Sequence, residues 1–366
     1  MKSLRVLLLI LGVGTAALIT YVLQWEWKSA TNYSYIHFRN GDENSIRMAV
    51  HSGSDSFIRN RYGTESPATD DNTETDQTSS EPTSTRSSED VIWDEQKRRQ
   101  QILRESCQGF NSSSPMEYSH MLVSNPHRVL FNFIPKVSCK AWKAILGRLR
   151  QLNGTGSASL GKYSSVERES KLASYRKVLF VREPLSRILS AYMSKFRGGA
   201  LYDHASLQRF WENMYGKDIV HRYRYVPKPS LAGWLNITLT EFLRYVTDLG
   251  SGIRMNAFND HWLPQHIVSH PCQIKYDFIG HFENLSVEGP FVLQWLGIDH
   301  LVQFPDYHNS NAADSLVRYY KTVPLELIQK VSDYYWEDYR LFGYSLEETI
   351  SLFARGVFKN KVQLQT

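Results

Sequence analysis

RVLFNFIPKVSCKAWK, residues 128–143, decides how this chain folds. Its first seven residues are a short apolar run that Pro135 ends, which reads as a strand buried on both faces. Residues 141–149 then take up a helical pattern. The same unit recurs at KVLFV, residues 177–181, which ends in Arg182-Glu183-Pro184 and is followed by Leu185, Ile188, Leu189 and Tyr192 on one helical face. A third copy runs from YDFIG, residues 276–280, to a helical stretch at 291–296. Strand followed by helix, repeated, predicts an α/β fold with a parallel sheet and covering helices.

Outward from this core the chain changes character. Lys2 and Arg5 precede an uncharged stretch at residues 6–25, long enough to cross a hydrocarbon core of about 30 Å. The expected layout is a cytosolic tail at 1–5, a signal anchor at 6–25 and a lumenal remainder, because positive charge holds the short side in the cytosol. Residues 26–90 read as a disordered stem, poor in large apolar groups. Within 64–90 there are eight acidic residues and one basic, Arg86. The whole chain carries +5, so everything outside that segment carries +12. A basic folded domain at 91–366 suits anionic ligands, and a lumenal one does not meet nucleic acid. Asn32, Asn111, Asn153, Asn236 and Asn284 each head an Asn-x-Ser/Thr acceptor, as expected of a lumenal glycoprotein. Three cysteines allow one internal bridge, and Cys107 with Cys272 is the expected pair because Cys139 lies in the first motif.

Each strand of the first two units delivers charge into the start of a helix. Unpaired backbone N–H groups and the helix dipole make such a start an anion site, to which Lys136 adds a point charge. Arg182 stands at the end of the second strand, with Arg187 and Ser190 one turn apart on the next helix. Arginine grips phosphate with a fork and a serine hydroxyl can complete the grip, although Arg182 pairing with Glu183 or Asp277 would serve structure alone. No G-x-x-x-x-G-K-[ST] loop occurs, so a nucleoside-triphosphate enzyme is not supported. No Asp-x-Asp motif occurs either, which disfavours a metal-dependent glycosyltransferase with the same layout.

PKVSCKAWK and VREPLSRILSAY, in this order and at the ends of two strands, resemble the nucleotide site of the Golgi carbohydrate sulfotransferases. The similarity is to the branch holding the chondroitin and dermatan 4-O-sulfotransferases, the N-acetylgalactosamine 4-sulfotransferases and the enzyme making the HNK-1 epitope, where the motifs read near PKVGCTNWK and VREPFERLVSAY. His261-Trp262, His270-Pro271-Cys272 and the YDFIG strand with Glu283 and Leu285 also match. The resemblance covers residues 107–366 and implies the P-loop-like sulfotransferase fold, with 3'-phosphoadenosine 5'-phosphosulfate (PAPS) as sulfate donor and no metal. It implies that Lys136, Val137, Ser138, Cys139, Lys140, Ala141 and Trp142 embrace the 5'-phosphosulfate, with Lys136 at the bridging oxygen. It implies that Arg182, Glu183, Pro184, Leu185, Ser186, Arg187, Ile188, Leu189 and Ser190 hold the 3'-phosphate, with Arg182 and Ser190 foremost. The implied acceptor is a glycan, O-4 of N-acetylgalactosamine in chondroitin or dermatan chains, with terminal N-acetylgalactosamine or glucuronic acid on protein-linked glycans as the alternatives.

The chain departs from the family pattern where Ser138 replaces glycine, Lys140 and Ala141 replace Thr and Asn, and Ser186 replaces Glu. If the loop needs φ > 0 at 138, serine carries strain there. These departures motivate a second class, a PAPS-binding or glycan-binding scaffold without turnover. An acceptor hydroxyl must lose its proton, and His261 is the expected base, with His266, Asp260 and Glu283 as alternatives. Arg222, Arg224 and Lys228 form a basic cluster that suits an acidic glycan or a solvated loop. Tyr334, Tyr335 and Trp336 fit a core helix better than a sugar platform.

Overall fold

The computed structural model describes residues 87–110, 115–153, 159–197, 205–225, 233–248, 259–305 and 312–351. The expected tail, anchor and nearly all of the stem, with Asn32, Asn111 and Lys228, lie outside them. Among the described residues no helix is long and apolar enough to cross a membrane.

Four strands form one sheet in the order β1-β2-β3-β4: Met121–Ser124, Val129–Asn132, Arg176–Val181 and Phe278–His281. β2, β3 and β4 are the three apolar runs of the sequence, paired in parallel as expected. The sheet is mixed, however, because β1 pairs antiparallel with β2. Its four residues are too few to show a period, though Asn125-Pro126 marks the turn that joins it to β2. β2 and β4 are buried throughout and β3 everywhere but Arg176, as strands covered on both faces must be. Gly280 is required by packing, since a Cβ there would lie 2.2 Å from the Phe180 ring.

The first helix, α1 (Ser88–Ser106), starts three residues before the expected domain boundary and carries a Ser87/Asp90 capping box. It seals the open edge of β4. Gln96 donates Nε2 to the Ile279 carbonyl at 3.0 Å and accepts from its N–H at 2.9 Å, as a neighbouring strand would. Arg99 adds a bond to the same carbonyl and a two-point ion pair with Glu288, both side chains buried. Cys107 at the end of α1 is bridged to Cys272, the expected pair, leaving Cys139 as the free thiol.

The helix α2 (Cys139–Asn153) follows β2, α3 (Ser165–Ser174) precedes β3, and α4 (Pro184–Lys195) follows it. One core surrounds the sheet, with Trp142 of α2 stacked on Phe131 at 4.6 Å. A second core, away from the sheet, packs the inner face of α4, through Leu185, Ile188 and Leu189, against Trp262, Phe242, Tyr320 and Tyr335. Tyr335 is therefore a core residue, as read from the sequence, and its hydroxyl donates to the Trp262 carbonyl at 2.5 Å, whereas Tyr334 is half-buried and Trp336, read with them as core, is 53% exposed.

Candidate active site

The strand ends of β2 and β3 and the turn at 259–263 meet at one edge of the sheet. The β2 loop is held in an unusual shape, with Lys136 at φ +72° and Ser138 at φ +51°. Both lie in the left-handed region where side chains cost about 1–2 kcal/mol, so the strain expected at Ser138 is present. Val137 and Trp142 turn into the core, leaving Lys136, Ser138, Cys139 and Ala141 half-exposed and Lys140 exposed on the open side.

The second motif divides in the same way. Pro184, Leu185, Arg187, Ile188 and Leu189 are buried, whereas Ser186 and Ser190 are half-exposed. With Ser194 they form an i, i+4, i+8 stripe along one face of α4. Arg187 is 1% exposed, and its fork donates to the carbonyls of Pro135 at 3.0 Å, Leu263 at 2.7 Å and Asp260 at 2.8 Å. All three of these contacts are to main-chain carbonyls. Arg187 binds the β2 loop to the 259–263 turn, and Leu185, Ile188 and Leu189 serve the core.

Arg182 reaches across to the β2 loop. Its Nη1 donates to the Lys136 carbonyl at 3.1 Å, and its guanidinium stands 4.1 Å from the centre of the Phe282 ring. Gln265, fully buried, clamps the Arg182 backbone through both its N–H and its C=O. Asp277 accepts from Lys177 N–H at 2.7 Å, and Glu183 caps α4 by accepting from Leu185 and Ser186. Glu283 accepts from the Glu183 N–H and the Tyr344 hydroxyl, so this candidate base orders the loop.

Lys136 donates Nζ to Ser194 Oγ at 2.8 Å. Burial first, then the nearby Lys195 ammonium, push its pKa from 10.5 down to about 8. His261 Nδ1 sits 2.8 Å from both Asn259 Oδ1 and Asp260 Oδ1. Both are acceptors, and the His261 N–H, which can only donate, fixes which way that amide points by bonding Asn259 Oδ1 at 3.0 Å. Nδ1 therefore carries the proton and Nε2 keeps its lone pair, as a general base requires. Burial lowers the His261 pKa from its ordinary 6.5, with Asp260 partly offsetting it. Asp260 is also met by His120 Nε2 at 3.1 Å. Burial raises the Asp260 pKa, but its bonds to the two imidazoles outweigh that and hold the carboxyl well below the usual range.

His266 is differently placed. Buried Asp338 takes its Nδ1 at 2.7 Å and its N–H at 2.9 Å, which ties the ring to the start of the helix 265–269. The basic cluster is also spoken for, since Arg222 pairs with Asp218 and Arg224 grips Glu241 with two nitrogens. Asn236 is exposed, Asn284 is half-buried and donates to Glu288 at 3.3 Å, and Asn153 is the last residue of α2. Sequence reasoning missed His120, Ser194 and Lys195 at the site. The serine stripe was a legible sign of Ser194; nothing local marks the other two.

A strained loop with a lysine, an arginine reaching its backbone and a histidine poised as base fit transfer of an anionic group to a hydroxyl. The family model described as "Sulfotransferase family" matches residues 119–345. The chain belongs to the sulfotransferase family. It is similar to carbohydrate sulfotransferase 14 of Danio rerio, 30% identical over 286 residues, covering 71% of this chain and 74% of the relative. It is 35% identical to carbohydrate sulfotransferase 14 of Mus musculus over 241 residues, covering 62% of this chain and 60% of the relative. Carbohydrate sulfotransferase 11 of Mus musculus is 28% identical over 285 residues, covering 70% and 78%. No solved structure gives a significant match. This sulfotransferase is thus an enzyme of the PAPS-dependent carbohydrate O-sulfotransferase class, the expectation carried by its two loops.

Proposed function

We propose that the chain sulfates O-4 of N-acetylgalactosamine in chondroitin or dermatan chains, in the Golgi lumen, held there by a signal anchor at residues 6–25. The support is the shared motif order and the relatives' grouping as carbohydrate sulfotransferases. In this reading the Lys136 ammonium, flanked by Ser138, Cys139, Lys140 and Ala141, receives the 5'-phosphosulfate and the charge that develops on the bridging oxygen. Arg182, Ser186 and Ser190 take the 3'-phosphate. His261 Nε2 accepts the acceptor's proton. Sulfuryl transfer, like phosphoryl transfer, asks the protein mainly for positioning and charge stabilisation, which these groups supply. The observation that carries the reading is the bond from Arg182 Nη1 to the Lys136 carbonyl at 3.1 Å, which joins the two motifs into one anion-binding edge. Asn236, the exposed acceptor, is the proposed principal glycosylation site among the described residues.

The test is transfer of labelled sulfate from PAPS by the full-length chain in detergent, offered desulfated chondroitin, dermatan and glycans ending in N-acetylgalactosamine or glucuronic acid. Transfer to chondroitin or dermatan at O-4, lost in Lys136→Ala and Arg182→Ala, is expected. Transfer only to a terminal sugar would move the acceptor outside the polysaccharides, and donor binding without any transfer would favour a scaffold.

A further inference from the structure

Two lysines converge on the β2 loop, and only one has been given work. Lys195 is the last residue of α4 and directly follows Ser194, the residue that Lys136 Nζ binds at 2.8 Å. Its ammonium stands 3.9 Å from the centre of the Trp211 ring. That indole is buried and stacked on Tyr215 at 5.5 Å, so the seat is fixed. His261 meets the same indole edge-on, ring centres 5.1 Å apart. One buried tryptophan therefore holds a cation and the expected base side by side, and Lys136 is bound to the residue that precedes Lys195 on α4.

A helix-ending lysine resting on an indole can be purely structural, since the dipole and the ring both favour it. Its electrostatic setting argues for more. Among the described residues no carboxylate lies within ion-pair distance of Lys195 Nζ, and the nearby Asp260 has one oxygen on His120 and the other on His261. Lys136 similarly donates to a neutral hydroxyl. Burial lowers the Lys195 pKa to about 8; Asp260 counteracts this, while Lys140 of the loop adds to it. Two half-buried ammoniums that repel one another, with no anion between them, form a site that an anionic ligand completes.

We propose that Lys195 is a second catalytic cation, whose ammonium hydrogen-bonds the non-bridging oxygens of the sulfuryl group while Lys136 serves the bridging oxygen. The claim rests on the donor-site reading above. In the step itself the bond from sulfur to the bridging oxygen breaks and its electron pair stays on the departing 5'-phosphate. A new sulfur–oxygen bond forms to the sugar hydroxyl, whose proton passes to His261 Nε2. Lys195 keeps its proton throughout.

The experiment compares wild type, Lys195→Met, Lys195→Arg and Arg182→Ala as full-length chains. It measures affinity for 3'-phosphoadenosine 5'-phosphate (PAP), which lacks the sulfuryl group, together with kcat and KM for transfer and the slow hydrolysis of PAPS in water. Lys195→Met is expected to bind PAP within threefold of wild type. Its kcat should fall about 100-fold, in transfer and hydrolysis alike, the usual cost of one preorganised donor. Lys195→Arg should recover at least tenfold of that loss, because it keeps a cation on the indole. A kcat within threefold of wild type in Lys195→Met, or a loss confined to the acceptor KM, overturns the proposal while Arg182→Ala still loses PAP. If Arg182→Ala binds PAP normally, the donor-site reading itself fails and the proposal falls with it.

Discussion

Replacing Arg187 with methionine separates two jobs that the same residue could do. The guanidinium is buried and bonds three main-chain carbonyls, from Pro135 in the β2 loop and from Asp260 and Leu263 in the turn that carries His261. Bonds from a charged donor contribute about 1.5–3 kcal/mol each, so losing three removes roughly 6 kcal/mol. Against this, methionine no longer requires a guanidinium to be desolvated, which returns several kcal/mol. A net loss of about 3 kcal/mol is expected, or a fall in melting temperature of about 6–12 °C for a domain of this size. Thermal melting with a parallel PAP titration reads both quantities. The clamp predicts that stability falls in Arg187→Met and that Arg187→Lys, able to reach one carbonyl well, restores at most part of it. Unchanged melting with lost PAP affinity would mean that Arg187 contacts the nucleotide and that the carbonyl clamp is not its task.

Three further outcomes follow from the same geometry. Ser138→Gly should raise the melting temperature by about 2–3 °C, because relief of about 1–2 kcal/mol of left-handed strain exceeds glycine's entropic cost of about 0.5–1 kcal/mol; a drop would show that the serine side chain is needed there. The rate at low PAPS reports the free enzyme, and its lysines must stay protonated. With Lys136 and Lys195 brought to about 8 from 10.5, kcat/KM for PAPS should fall as pH rises through about 8, and again below 6.5 as His261 gains a proton. A flat profile to pH 10 would remove the cationic role. Cys272→Ser opens a link spanning 165 residues and should cost about 2–5 kcal/mol in melting experiments, while Cys139→Ser, which breaks no bridge, should leave stability unchanged.

The strands that build the site were legible because each is a short apolar run stopped by a breaker, and a strand buried on both faces has little other way to read. The helix α1 was harder. Gln96 and Arg99 look like a solvated face, and only the structure shows them completing the hydrogen bonds of β4 at Ile279. Arg187 illustrates a deeper ambiguity. The same five-donor fork that suits phosphate suits a set of carbonyls, so residue type and spacing are alike for a ligand contact and an internal brace. Ser138 was readable in the opposite sense, since the demand for φ > 0 followed from the glycine expected there and is met at φ +51°.

The strand absent from the sequence reading also explains a residue absent from it. β2, β3 and β4 run in parallel, so their carboxyl ends bring Lys136, Arg182 and Phe282 to one edge of the sheet. A strand antiparallel to them presents its amino end at that same edge. Met121 pairs with Asn132, and the residue before Met121 is His120, whose carbonyl accepts the Phe133 N–H at 2.9 Å. His120 thus arrives beside the β2 loop by topology alone, close enough for its Nε2 to meet Asp260, 140 residues further along the chain. A fourth parallel strand in the place of β1 would have turned that residue to the opposite end of the sheet and left one oxygen of the His261 carboxylate partner without its imidazole. The antiparallel edge therefore belongs to the construction of the site.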